Sequence, residues 1–484
     1  MPGTRIRVLS MLMEWAKDDP MRVFWLAGLA GTGKTSVAIT LCRMLQNDPS
    51  TLLGGAFFCS RTANIMELTD ARCILPTLAM ALAEHSSSFA VALAKELDID
   101  PRAALKPASV QAVAFLQRPL SALASLGRPI VFVIDGLDEC SDEHEVKRLL
   151  QAISTLEGST IVKFILMSRP EMHISTSPIS VSDRNSILRL HTIDTVEVTE
   201  DIRLYINNSF SQQPLEETWY SDSDVFVLAA RADGLFIFAS TVISYILSTG
   251  SPNWRRARLH KIMSAVTTAA SLGSLDAMYN FVVTRAASTR ETDTEELEET
   301  KHVLACILSA NVPLSVRSLA ELLDYEVMDL RESLRRLQAV IHVPDDYDMP
   351  GLRTLHVSFN EYLLERAVDR IRIPSSQGDE NLARGCLRLM RKQLYFNVSQ
   401  SHSSYEPNLP ATLDIIAHSL RYACMQWVYH IARLSHMPVL EDDIHDVFRP
   451  RFLFWLEVMS VLGQVQRAAA MLIIASATVR RIMN

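Results

Sequence analysis

The chain has 484 residues, 48% of them hydrophobic and 21% charged, with 47 basic against 55 acidic side chains for a formal net charge of −8. That hydrophobic content excludes a disordered chain, and the length accommodates three or four packed units. The two signs of charge are interspersed without a basic block, which argues against direct binding to nucleic acid; the nearest run, Trp254-Arg255-Arg256-Ala257-Arg258, reads as a solvated helical face.

Residues 1–20 form a lead-in segment in which Arg7–Lys17 predicts a short amphipathic helix. An apolar strand around Phe24 then runs directly into Gly28-Leu29-Ala30-Gly31-Thr32-Gly33-Lys34-Thr35, the spacing G-x-x-x-x-G-K-T. Glycines at 28, 31 and 33 let successive main-chain N–H groups turn inward around phosphate oxygens. Lys34 adds positive charge, Thr35 offers an oxygen to Mg²⁺, and Ser36–Gln46 predicts a helix whose N-terminus faces the same anion. Gly28, Gly31, Thr32, Gly33, Lys34, Thr35 and Ser36 are therefore the candidate contacts to a nucleoside triphosphate or diphosphate.

Further strands are expected near Phe57, Val133, Phe164 and Leu188. The one at Pro129–Ile134 ends in Asp135-Gly136-Leu137-Asp138-Glu139-Cys140, placing acids at the C-terminal end of a buried strand, where ligands of parallel sheets sit. Asp135 is the candidate Mg²⁺ residue opposite Thr35. Glu139 is the candidate for polarising an attacking water, with Asp138 binding metal or orienting it; a solvated helix start is the alternative for both. Ile161–Met167 is another strand, finishing on Ser168-Arg169-Pro170. Arg169 can reach a terminal phosphate or pair with a carboxylate.

Residues 21–198 thus predict an α/β nucleotide-binding domain, a parallel sheet with helices on both faces. From 199 to 290 the pattern turns helical, through Leu204–Phe210, Ser223–Arg231 and Leu235–Leu247. The acidic run Glu291–Glu299 marks an expected solvated boundary. Residues 291–373 follow as three short helices (His302–Ser309, Val316–Leu323, Asp329–Ala339) and extended segments around Ile341–Pro344 and Thr354–Val357, the outline of a winged helix. Residues 374–484 predict a further helical domain, whose Trp427, Tyr429, Phe454 and Trp455 read as core, with a seat for a partner as the alternative.

Seven cysteines, with no C-x-x-C pair and no metal-ligand spacing to histidine, support neither zinc nor a disulfide framework and fit a reducing compartment. Cys140 reads as packing. The apolar stretches Leu235–Leu247 and Ala468–Val479 are too short to cross a bilayer, and Arg5, Arg7 and Glu14 interrupt any leader.

The phosphate loop, the Asp-Gly-Leu-Asp-Glu-Cys cluster and the Ser-Arg-Pro ending together resemble the NACHT-type module of the STAND class of P-loop NTPases. The resemblance is strongest to its fungal NLR-like branch and nephrocystin-like relatives. Pro2-Gly3-Thr4-Arg5, Asp201–Ile206 and Gly234–Ala239 extend it, and Leu355–Leu363 looks like the winged-helix motif whose histidine, here His356, contacts the β-phosphate of ADP. Read without the motif, His356 is as well a buried histidine satisfied by a carbonyl. The resemblance implies a cytoplasmic ADP/ATP switch with Mg²⁺, slow turnover, a helical lid over residues 199–290 and homo-oligomerisation on activation. It also implies protein effector or sensor partners, in self/non-self recognition or programmed cell death. Adenine rests on the resemblance too, since no N-K-x-D motif is present. No repeat period is visible after residue 374 and no effector domain is expected ahead of the core, so a fragment, a truncated product or a minimal form is expected. The competing readings are an interaction scaffold with a vestigial nucleotide site and an ATPase motor or remodelling enzyme.

Overall fold

The computed structural model describes residues 3–63, 65–123, 127–156, 162–175, 187–190, 193, 195–212, 219–268, 273–287, 294–400, 415–434 and 440–483. Pro2, Ile161 and the first part of the acidic run, 291–293, lie outside the described residues. The chain divides into two compact units, Met1–Leu275 and Asp276–Asn484.

The first unit is built on α1 (Ile6–Asp18), β1 (Val23–Ala27), α2 (Lys34–Asn47), β2 (Leu52–Phe58), α3 (Ile74–His85), α4 (Ser87–Ile99), β3 (Ile130–Asp135), β4 (Val162–Ser168) and β5 (Ile187–Arg189). The five strands form one sheet in the order β2-β3-β4-β1-β5, and every pairing is parallel. Each expected strand is present. Parallel strands are covered on both faces, which is why β3 and β4 are buried at every position and apolar at all but Asp135, Lys163 and Ser168.

Alternation along β3 divides the core in two. Ile130, Phe132 and Ile134 pack with residues of α3, α4 and the helix Glu143–Ser154, whereas Val131 and Val133 pack with residues of α1 and α2. Phe132 stacks on Phe164 of the neighbouring strand, ring centroids 5.3 Å apart. Lys163 is the charged exception in β4; its Nζ donates to the Trp15 carbonyl at 2.7 Å and sits 5.1 Å from the Trp15 ring. Between β2 and β3 the chain runs through α3, α4 and a helical stretch over 108–123 that includes a π-helical turn at Ala112–Gln117.

Register fixes where the site lies. Ala27 pairs with Ser168, Phe58 with Asp135 and Asp135 with Met167, so four strands end at one edge. The phosphate loop, the acid cluster and Arg169 all follow from that edge.

Helices Thr195–Ser211, Asp222–Arg231, Phe236–Leu247 and Pro252–Thr268 complete the first unit. Asp222–Arg231 opens with a reciprocal capping box between Ser221 and Asp224.

In the second unit, helices Thr294–Ser309, Val316–Leu323 and Val327–Arg336 precede an antiparallel pair, Ile341–His342 with Arg353–Thr354. The acidic run is not simply a boundary: its second half opens the helix Thr294–Ser309, with Glu295 and Glu296 in the first turn, where the helix dipole favours them. Val357–Glu361 continues into a π-helical turn, Tyr362–Arg366. Helices Gln377–Gln393, His418–Ala432, Leu440–Val461 and Val465–Met483 follow. Trp427 and Trp455 are core residues, and a buried relay joins two of these helices: His430 Nδ1 lies 2.7 Å from Asp379 Oδ1 and His430 Nε2 lies 2.8 Å from Tyr422 Oη. Among the described residues no helix is long and apolar enough to cross a membrane.

Candidate functional site

The segment after β1 turns sharply because Gly31 and Gly33 hold left-handed conformations, φ 79° and 90°, that side chains with a Cβ rarely adopt. Gly28 N–H donates to the Ser168 carbonyl at 3.0 Å, tying the start of the loop to β4. Gly33 caps α2, so the first N–H groups of that helix open toward the loop. Lys34 bridges back across it, Nζ donating to the carbonyls of Gly28 at 2.8 Å and Leu29 at 3.0 Å. Burial lowers the Lys34 pKa, opposed by the charges of Asp138, Asp135 and Glu139 and reinforced by Arg169. The groups that act on Lys34 thus come from the ends of β3 and β4.

Asp135, at the end of β3, is 2% exposed. Burial pushes its carboxyl up to about 6, with a hydrogen bond from Thr35 and the charge of Lys34 pulling the other way. Its Oδ1 is buried without a hydrogen-bond partner. An orphaned carboxylate oxygen beside a threonine hydroxyl, both hard oxygen donors, fits Mg²⁺. Among the described residues no cluster of three or more His, Cys, Asp or Glu could cage a metal. Mg²⁺ at a phosphate site needs no such cage, since water and phosphate oxygens complete its shell.

Asp138 and Arg169 form a pair. Asp138 Oδ1 accepts from the Arg169 main-chain N–H at 2.9 Å, and Oδ2 lies 3.1 Å from Arg169 Nε, with side chains 6% and 18% exposed. Both candidates are at the site, and in this arrangement each engages the other. Glu139 is half-buried, and burial raises its pKa against the pull of a hydrogen bond from Arg61 N–H, which reaches Oε2 at 2.9 Å.

Arg61 is a residue that sequence reasoning missed. From the loop after β2, its Nε donates to the Glu139 carbonyl at 3.1 Å and its Nη2 to the carbonyls of Asp138 at 2.7 Å and Cys140 at 3.2 Å. It thereby fixes the main chain of the acid cluster as well as one carboxylate. Cys140 is buried, as its packing role requires, with Sγ 3.6 Å from Cys59 Sγ.

Arg5 was also missed as a loop contact: its Nη2 donates to the Thr32 carbonyl at 3.2 Å. The signal was available in the Gly3-Thr4-Arg5 stretch, already quoted for its resemblance but given no role. His356 belongs to the second unit. It caps the helix Val357–Glu361, with Nδ1 accepting from Ser358 N–H at 3.1 Å and lying 2.7 Å from Ser358 Oγ, which in turn lies 2.8 Å from Tyr279 Oη.

Residues 6–169 match the family model described as nephrocystin 3, N-terminal. The vegetative incompatibility protein HET-E-1 of Podospora anserina is 22% identical over 93% of this chain, and the chain spans 34% of that relative's length. Among solved structures, Cdc6p from Pyrobaculum aerophilum aligns at 13% identity and TM-score 0.31, covering 81% of this chain and 95% of its own. The Walker-type ATPase paby2304 of Pyrococcus abyssi aligns at 15% identity and TM-score 0.33, covering 74% and 95%.

Proposed function

We propose that this chain, a NACHT-like NTPase, works as a conformational switch that holds ADP in one state and ATP with Mg²⁺ in the other. The observation that carries the reading is the pairing of an intact phosphate loop with Asp135, whose Oδ1 is buried and unpartnered beside Thr35.

In this reading the main-chain N–H groups of Gly31–Thr35 and the α2 N-terminus bind the phosphates, with Ser36 alongside, and Lys34 moves from its own loop carbonyls onto phosphate oxygen. Thr35 and Asp135 hold Mg²⁺, which when bound offsets phosphate charge. Glu139, its proton affinity raised by burial, is the base that orients and deprotonates water. Asp138 keeps Arg169 at the edge of the site until a γ-phosphate competes for the guanidinium. Turnover is slow, because the task is to hold a state.

The helices of residues 199–290 act as a lid, 291–373 as a regulatory winged helix and 374–484 as a further helical domain. His356, its ring oriented by Ser358, contacts the β-phosphate of ADP in the closed state. Nearly complete switching needs about 5.5 kcal/mol of differential stabilisation from ATP and a stimulus. Opening exposes a surface for homo-oligomerisation, and the chain acts in the cytoplasm with protein effector or sensor partners. A role in self/non-self recognition or cell death is proposed by analogy with the incompatibility protein.

The test is to purify the chain without added nucleotide, denature it and identify by chromatography what it releases. Near-stoichiometric ADP is expected, and none from Lys34→Ala. A protein that is empty and also fails to bind ATP with Mg²⁺ overturns the switch and favours a scaffold.

A further inference from the structure

Three stretches carry the family resemblance outside the phosphate loop, the acid cluster and the winged-helix motif: Gly3–Arg5, Asp201–Ile206 and Gly234–Ala239. The first unit folds Gly3–Arg5 and Gly234–Ala239 onto the phosphate loop and Asp201–Ile206 onto both of them. Arg5 is 6% exposed, its main-chain N–H donates to Asp201 Oδ2 at 3.1 Å, and its guanidinium donates to the Thr32 carbonyl at 3.2 Å while lying 5.1 Å over the Phe236 ring. Phe236 also faces Tyr205, ring centroids 6.0 Å apart. The next residue, Ile237, donates its N–H to the Gly31 carbonyl at 3.1 Å. Arg5 and the helix Phe236–Leu247 therefore grip the loop by two adjacent carbonyls, those of Thr32 and Gly31, and Asp201 ties the helix Thr195–Ser211 to Arg5. In a phosphate loop the N–H groups turn in, so these carbonyls are on the outside.

Packing alone does not call for an arginine here. Arg5 Nε and Nη1 are buried without hydrogen-bond partners, and an apolar side chain of similar length would fill the space without that cost. What an arginine adds is a rigid planar fork that can bond a carbonyl at its edge while stacking on a ring with its face.

We propose that Arg5 is a positioning residue that couples the phosphate loop to the helices after residue 195, so that nucleotide held in the loop is read out by those helices through Thr32 and Phe236. The inference rests on nucleotide binding at the loop as proposed above. Phosphate bound by the loop's N–H groups fixes the direction of the opposite carbonyls, and Arg5 and Ile237 carry that direction to Asp201 and Phe236.

Hydrogen exchange followed by mass spectrometry on the full chain, with and without ADP and Mg²⁺, separates the two ideas. In the unmutated protein, exchange is expected to slow about tenfold or more both in residues 28–36 and in residues 234–240. Arg5→Met is expected to keep the slowing in 28–36 and lose most of it in 234–240, to under about threefold, and Arg5→Lys, which lacks the planar fork, to restore it only in part. Slowing in 234–240 that is unchanged in Arg5→Met overturns the coupling. If that variant does not fold, Asp201→Ala is the test, since it removes the acceptor of the Arg5 main-chain N–H yet leaves the guanidinium; an undiminished response there also overturns it. Absence of any slowing at 28–36 in the unmutated protein defeats the nucleotide reading itself, and the coupling falls with it.

Discussion

Replacing Asp135 with asparagine should make the nucleotide-free protein more stable, and the pH dependence of the gain identifies its cause. The carboxyl is 2% exposed and its pKa is raised by burial from 3.8 to about 6. Between those values the native state holds a proton that the unfolded state has lost, so stability falls as pH rises from about 4 through about 6 and then levels off. The full penalty is about 3 kcal/mol at pH 7. At pH 5 the same relation leaves about half of it. The amide of the Asp135→Asn variant is neutral throughout and escapes the penalty. The main-chain N–H groups of β3 are a suitable reporter, because this strand is paired on both sides and exchanges through opening of the sheet. In Asp135→Asn they should exchange about 150-fold more slowly than in the parent at pH 7 and about 15-fold more slowly at pH 5, with EDTA present. Mg²⁺-dependent affinity for ATP should fall in the same variant. No slowing at pH 7, or an equal slowing at both pH values, would refute the view that Asp135 is a desolvated carboxylate kept at a cost to stability.

Lys34→Ala should weaken nucleotide binding by about 10- to 150-fold, the worth of a charge-assisted hydrogen bond, as read by titration with a fluorescent ADP analogue. Gly31→Ala places a Cβ at φ +79° and 2.1 Å from Ile237 Cγ2, so it should cost about 2–5 kcal/mol of strain and overpacking and raise proteolysis after residue 231; an unchanged digestion pattern would contradict the close approach. Asp138→Asn leaves Arg169 half-paired in a largely buried position and should lose about 2 kcal/mol in denaturant titration, with Arg169→Gln adding little to it in a double-mutant cycle. Asp379→Ala leaves Nδ1 of His430, which is 0% exposed, without its carboxylate partner and should lower the stability of the second unit by about 3 kcal/mol, followed through the fluorescence of Trp427 and Trp455.

The stretch from Val23 to Asn47 was legible because each piece depends on nearby sequence: an apolar run, glycines where φ is positive, and a helix without breakers. The other four strands were legible for the same reason, being short apolar runs closed by polar residues. Partnerships between strand ends were not. Arg169 follows β4 and Asp138 follows β3, and nothing in either local pattern says that these strands are neighbours or that this carboxylate, among 55 acidic residues, is the partner. Arg61 left no sequence signal, since it works through its own main chain and through carbonyls that every residue possesses. Nor did the connection between β2 and β3 declare its three helical stretches, which are placed by packing against Phe132 and Phe164 rather than by strong caps; only α4 begins with a side-chain cap, Ser86 to Phe89 N–H.

The carboxylate of Glu139 is held at Oε2 by a main-chain N–H, that of Arg61. Every residue type except proline supplies the same donor. A library that varies the side chain at position 61 will therefore score the guanidinium bonds to the acid-cluster carbonyls and leave the grip on Glu139 untouched. Proline at 61, or a one-residue insertion between Cys59 and Ala63 that slides the amide out of reach, changes the variable that matters there, which is the path of the backbone.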